Sequence, residues 1–139
     1  MRPTLCLALL LSCLGSASAV AAVLPVPDVR TASAELSADG RAIVVRASVD
    51  LPNGCWTEPR IVPPGGAAAP DASGVVTLTV AADSSAGAGH MCSMIFRPGV
   101  EARELRWTGF PASGLKAVRL IGSRTPLTVT ISAADPPSP

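Results

Sequence analysis

The chain has 139 residues, with 11 Lys+Arg against 10 Asp+Glu, one histidine, and only two Trp and two Phe as aromatics. A balance this close to neutral leaves no basic surplus for phosphates and argues against nucleic acid as a partner. So few aromatics offer no stacking platform for sugars or single strands.

The first 24 residues carry a single charge, Arg2, ahead of the apolar run Leu5-Cys6-Leu7-Ala8-Leu9-Leu10-Leu11. Gly15 and Ser16-Ala17-Ser18-Ala19 follow, the pattern of a secretory signal peptide over residues 1–19 with the cut before Val20. Two alternatives stay open. Leu10-Leu11-Ser12-Cys13 resembles the lipobox of bacterial lipoproteins and would make Cys13 a lipidation site. An uncleaved segment over residues 6–24 approaches the ~20 residues of a membrane helix. All three readings put the folded part outside the cytoplasm, periplasmic or secreted, with membrane contact only through a lipid on Cys13 or an uncleaved leader. Arg2 leaves with a cleaved leader, so ten cations then face ten carboxylates. The remaining ~120 residues suffice for one domain with a real core but not for two.

Only Cys55 and Cys92 survive a cut before Val20, and in an oxidising compartment the default for such a pair is one disulfide. By chain entropy the closed loop is worth roughly 4 kcal/mol.

Residues 20–29, punctuated by Pro25 and Pro27, read as an extended leader to a β-domain over 30–132. Small and polar residues at 30–36 suggest a short edge strand, and Asp39-Gly40 a tight turn. The clearest strand follows at 41–51. Ile43, Val45, Ala47, Val49 and Leu51 form one face, with Ala42, Val44, Arg46, Ser48 and Asp50 on the other. Pro52-Asn53-Gly54 stops it, and a weaker strand runs from Cys55-Trp56 to Val62, where Pro59 requires an edge or a bulge. Residues 63–74 form a loop of small residues. Residues 75–82 alternate again, with Val76, Leu78 and Val80 on one side, and 83–89 form a flexible link.

Residues 90–97 read as a strand with His90, Cys92, Met94 and Phe96 on one face, and Met91, Ser93, Ile95 and Arg97 on the other. Met94 and Phe96 are expected in the core. Pro98-Gly99 turns the chain, 100–107 is a strand or a short helix, and 115–121 and 127–131 are the last strands. Residues 133–139 form a proline-rich disordered tail. Together these elements predict an all-β fold: an immunoglobulin-like antiparallel β-sandwich with one disulfide.

The stretch Val49-Asp50-Leu51-Pro52-Asn53-Gly54-Cys55-Trp56, followed by Cys92 and the β-runs at 118–122 and 127–131, resembles a family of small exported bacterial β-sandwich domains. That family is marked by a Leu-Pro-Asn-x-Cys turn and a second, distant cysteine, and the resemblance covers residues 30–131. It has no assigned activity or catalytic residues, so the resemblance implies none here.

One stretch invites a chemical role. His90, Met91 and Met94, with Cys92 among them, are soft donors of the kind Cu(I) favours. On a strand, however, Met91 points away from the other two, a disulfide removes the Cys92 thiolate, and His90 and Met94 stand about 13 Å apart. The stretch therefore reads as a half-cystine, with the metal site as an alternative. No Gly-x-Ser-x-Gly elbow is present, and the one histidine has no serine or free cysteine to activate, so no catalytic residue or cofactor is assigned. Glu101 and Glu104, interleaved with Arg103 and Arg106, read as an ion-paired face; Arg97, Arg103, Arg106, Arg119 and Arg124 read as scattered surface charge, with an anion-binding patch as the alternative. The expected function is that of a non-enzymatic binding or accessory module of the cell envelope, its partner an envelope or extracellular protein met through loops 63–74 and 83–89. The alternatives are a soft-metal binder and a protease-inhibitor-like presenter of Pro52-Asn53-Gly54 or 63–74.

Overall fold

Nine strands and no helix make up the described chain: β1 (Ala22–Pro25), β2 (Asp28–Leu36), β3 (Ile43–Leu51), β4 (Trp56–Val62), β5 (Val75–Ser84), β6 (Arg97–Glu101), β7 (Leu105–Trp107), β8 (Ala117–Ile121) and β9 (Leu127–Ser132). The structure is a computed structural model that describes residues 21–133 except 64, 66–68, 88 and 112. The signal peptide expected over residues 1–19, with Cys13, and the tail expected beyond 133 lie outside the described residues.

The strands form one curled sheet. β3 pairs antiparallel with β2 along one edge and with β7 and β6 in succession along the other. β5 pairs antiparallel with β4 and β1 and parallel with β8. β9 closes the path, antiparallel to β8 and parallel to β2. The two ends of the sheet approach each other where Arg103 N donates to Pro59 O at 2.7 Å, tying the β6–β7 link to β4. The fold is thus all-β with one disulfide, as its alternation predicts, but the sheet is a partly closed half-barrel. Two of its pairings are parallel, which corrects the expectation of a purely antiparallel arrangement.

Alternation decides which side chains fill the interior. On β3, Ile43, Val45, Ala47, Val49 and Leu51 are each at most 2% exposed, and on β5 so are Val76, Leu78, Val80 and Ala82. Val118 and Leu120 of β8, paired with Val76 and Leu78 of β5, belong to the same core. Ala34, Ala47, Ala82 and Ala102 are small inward residues, which lets a sheet of this tight radius close without overpacking. The outer face of β3 is drier than alternation suggests, because Ala42, Val44 and Ser48 are buried as well. Ser48 meets Thr31 across the strands, hydroxyl to hydroxyl at 2.6 Å.

The Asp39-Gly40 turn forms as expected. Asp39 accepts from Arg41 N (3.1 Å), and Gly40 N reaches Ser37 O (2.8 Å). Pro59 sits at a register shift between Thr57 and Arg60 on a strand whose only ladder partner is β5, so the edge-and-bulge reading of β4 holds. The expectation that β2 lies at an edge does not hold, since β2 runs between β3 and β9. Pro98-Gly99 is not a turn but part of β6, with Gly99 N held by Asp50 Oδ1 at 2.9 Å.

The leader does more than run extended. β1 pairs with β5, and the next residue, Val26, is fully buried. Its N–H, lying between two prolines that have none, donates to Val80 O at 3.0 Å, and its carbonyl accepts from Ser123 N at 2.7 Å. Gly122 allows that approach, because a Cβ there would collide with Val26 O.

Candidate binding surface

The disulfide organises one end of the sheet. Cys55 follows β3 and is buried, Cys92 is half-buried, and the two are bonded with Cα atoms 5.1 Å apart. Such a bond is characteristic of an oxidising compartment. The turn before it is built by Asn53, whose Oδ1 accepts from Cys55 N at 3.0 Å, a local closure that short amide side chains favour. Gly54 N donates to Ser93 O at 2.9 Å, and a Cβ at this position would displace Ser93 Oγ. Ser85 N to Cys55 O (3.1 Å) fastens the end of β5 to the same place. Pro52-Asn53-Gly54 is thus tied to the Cys92-Ser93 segment at Gly54, with Pro52 and Gly54 exposed.

From this clamp the chain crosses to the edge of β3, where Arg97 pairs with Leu51. Residues 90–96 have no strand structure and no ladder partner, which corrects the strand expected at 90–97. Its facing is corrected too. Met91 is 100% exposed, Met94 87%, Ile95 67% and Phe96 56%, so Met94 and Phe96 are not core. The cause is connectivity: β5 ends beside Trp56 and β6 begins beside Leu51, and the residues between must span the open end of the sheet. His90 lies exposed on the same loop. The half-cystine reading of Cys92 stands, though on a loop and not on a strand.

Four of the six large hydrophobic residues exposed among the described residues thus fall within six consecutive positions. The other two, Val23 and Leu24, lie on β1, which pairs with the last residues of β5 beside the clamp. Between Asp83 and Glu101 the chain carries no carboxylate, only His90 and Arg97.

The remaining surface is ion-paired and dispersed. Arg46 meets Glu35 (3.1 Å) and Glu104 (2.7 Å), Arg124 meets Asp28 (2.9 Å), and Arg60 meets Asp83 (2.8 Å). Arg103, Arg106 and Arg119 pair at longer range with Glu58, Asp39 and Asp71. The Arg60 guanidinium holds the Asp83 carboxyl below the usual carboxylate range. The Ser73 hydroxyl, with backbone N–H groups of Val75 and Ser73, does the same for Asp71. No group of three or more His, Cys, Asp or Glu suited to a metal ion occurs among the described residues. Of the recesses in the surface, one of about 180 Å³ between Leu36, Ile43, Phe110 and Leu115, and a polar one of about 220 Å³ over Thr31 and Ser48, fall short of the ~300 Å³ at which small-molecule sites begin.

Comparison with protein-family models, curated proteins and solved structures gives no match for the chain. No helix of the described residues is long and apolar enough to cross a membrane.

Proposed function

We propose that the protein is an exported, non-enzymatic binding or accessory module of the cell envelope, and that its contact surface is the disulfide-clamped loop 89–97. The observation that carries this is the concentration of Met91, Met94, Ile95 and Phe96 in water on one tethered loop. Exposed apolar side chains scattered singly need no explanation, but a contiguous group marks an interaction site. The clamp adds to it: a loop already fixed at Cys92 and Ser93 loses less freedom on binding than an open one. Export is supported by the leader pattern and by the bond between Cys55 and Cys92. The resemblance to small exported β-sandwich domains, immunoglobulin-like in architecture, fits the same reading. Loop 89–97 replaces 63–74 and 83–89 as the preferred surface, because it presents the larger side chains.

The test is site-specific photocrosslinking in intact cells. A photoreactive residue at position 95 is expected to yield crosslinked products, and one at Thr128 on the outer sheet face to yield none. Equal yields at the two positions would refute the assignment of this loop.

A second reading keeps the soft-metal alternative. With residues 90–96 off the strand, alternation no longer separates His90, Met91 and Met94. Titration with Cu(I) decides it: tight binding lost together in His90→Ala and Met94→Ala would favour a metal site.

A further inference from the structure

We infer that loop 89–97 engages a lipid bilayer, placing Met91, Met94, Ile95 and Phe96 in the interfacial layer of the membrane. This rests on the reading of the loop as a contact surface and names its occupant. Three observations favour lipid over a protein partner. The first is shape. Met91 is completely exposed and Met94 nearly so, the signature of a convex tip and not of a flat patch that a complementary protein surface would cover. Unbranched, flexible methionines suit a fluid environment that offers no fixed pockets.

The second is charge. Along the chain no carboxylate occurs between Asp83 and Glu101, while His90 precedes the apolar residues and Arg97 follows them; a carboxylate from β3, Asp50, meets the segment at Gly99 N, two residues past Arg97. A cation bordering an apolar tip is placed to meet headgroup phosphates as the tip enters, and an acidic residue there would oppose entry. The third is where the chain outside the described residues joins. Residue 22, at the start of β1, pairs with Ser84, which also pairs with Trp56 beside the clamp. The apolar leader and Cys13 therefore attach at the same end of the sheet as the loop. Cys13 precedes β1 by only nine positions, a reach of about 30 Å fully extended. A membrane anchor in that leader would bring a bilayer to the end of the sheet that carries the loop, where Val23 and Leu24 of β1 are also exposed.

Because ten cations balance ten carboxylates once the leader is gone, insertion and not net charge drives the contact. Binding is then expected on zwitterionic vesicles and in raised salt, where purely electrostatic attachment fails.

The experiment uses the exported protein with phosphatidylcholine vesicles, and in parallel with vesicles containing phosphatidylglycerol. Co-sedimentation gives the partition, and peroxide footprinting of Met91 and Met94 gives the contact, since inserted thioethers are shielded from oxidation. Both vesicle types are expected to pull the protein down and slow both oxidations. Met91→Ser and Phe96→Ser should each lower the partition by roughly tenfold, the equivalent of one partly buried apolar side chain. The substituted residues are exposed, so thermal midpoints should stay unchanged and unfolding is not a rival explanation. Wild type left in the supernatant with both vesicle types would overturn the lipid inference, as would variants that sediment like wild type. If the lipid arm fails while position 95 still crosslinks to an envelope protein, the contact-surface reading stands without the lipid. If neither vesicle nor crosslink responds to the loop, both fall.

Discussion

Val26 provides a direct test of the fold, because on sequence it looks like part of a leader and in the structure it is core. Its side chain is fully buried, while Val23, three residues earlier, is 55% exposed. Val26→Ala removes two buried carbons, a transfer loss of about 1.6 kcal/mol at ~0.8 kcal/mol each. The cavity left in the core cluster adds to this, bringing the expected loss to about 2–3 kcal/mol. The backbone bonds from Val26 N to Val80 O and from Ser123 N to Val26 O do not depend on the side chain, so relaxation of the strand is limited. With a urea slope of roughly 1.5–2 kcal/mol per molar, the unfolding midpoint should fall by about 1–2 M. Val23→Ala should move it by less than about 0.3 M, within the range of surface substitutions. The two midpoints are read from urea titrations of the purified protein followed by Trp56 and Trp107 fluorescence. Equal, small shifts would refute the reasoning, for they would mean that the segment before β2 is not docked on β5.

Replacing Cys55 and Cys92 together by Ala should cost about 4 kcal/mol, since the bond closes a separation of 37 residues; chemical denaturation measures it, and alkylation without reductant should leave Cys55 and Cys92 unlabelled in the wild type. Val45→Asp buries an unpaired charge at a fully enclosed position and should cost more than about 4 kcal/mol, whereas Arg46→Asp, on the opposite face, should cost about 1 kcal/mol. Equal urea midpoints for that pair would mean the facing of β3 is wrong. Asp71, held below its ordinary value of 3.8 first by the Ser73 hydroxyl, contributes stability that is present above that value and lost as pH falls through its lower folded value. Asp71→Ala should therefore be less stable than wild type near neutral pH and converge with it in acid, as thermal melts across that range will show.

The strands that were legible in the sequence are those whose alternation coincides with a buried face and a neighbour on each side. β3 and β5 meet both conditions, and their inward residues are the ones that period-two reading selects. β1 was hidden by Pro25 and Pro27, which signal a break when read alone. Proline removes a donor without preventing an extended backbone, and here the lone N–H between the two is the one the fold uses. The parallel pairings of β2 with β9 and of β5 with β8 could not be read at all. They depend on which strands become neighbours after the sheet curls, and alternation is the same for either direction.

The loop that carries the candidate surface shows the complementary failure. Residues 90–97 alternate well enough to pass for a strand, yet alternation states only which side chains would share a face if a partner strand were present. The edge of β3 nearest to it is taken by β6, and the edge of β5 by β4, so residues 90–96 find neither of those ladders open. The bond to Cys55 then holds the segment where it cannot reach another edge. A cysteine pairing inferred from composition was therefore correct while the element assigned to one of its members was not, because a disulfide requires only that two Cβ atoms meet. The same constraint explains why Met94 and Phe96 face water. With the interior already filled from β3, β5 and β8, a crossing loop tied down at Cys92 has no core left to enter, and its apolar side chains are left for a surface outside the fold.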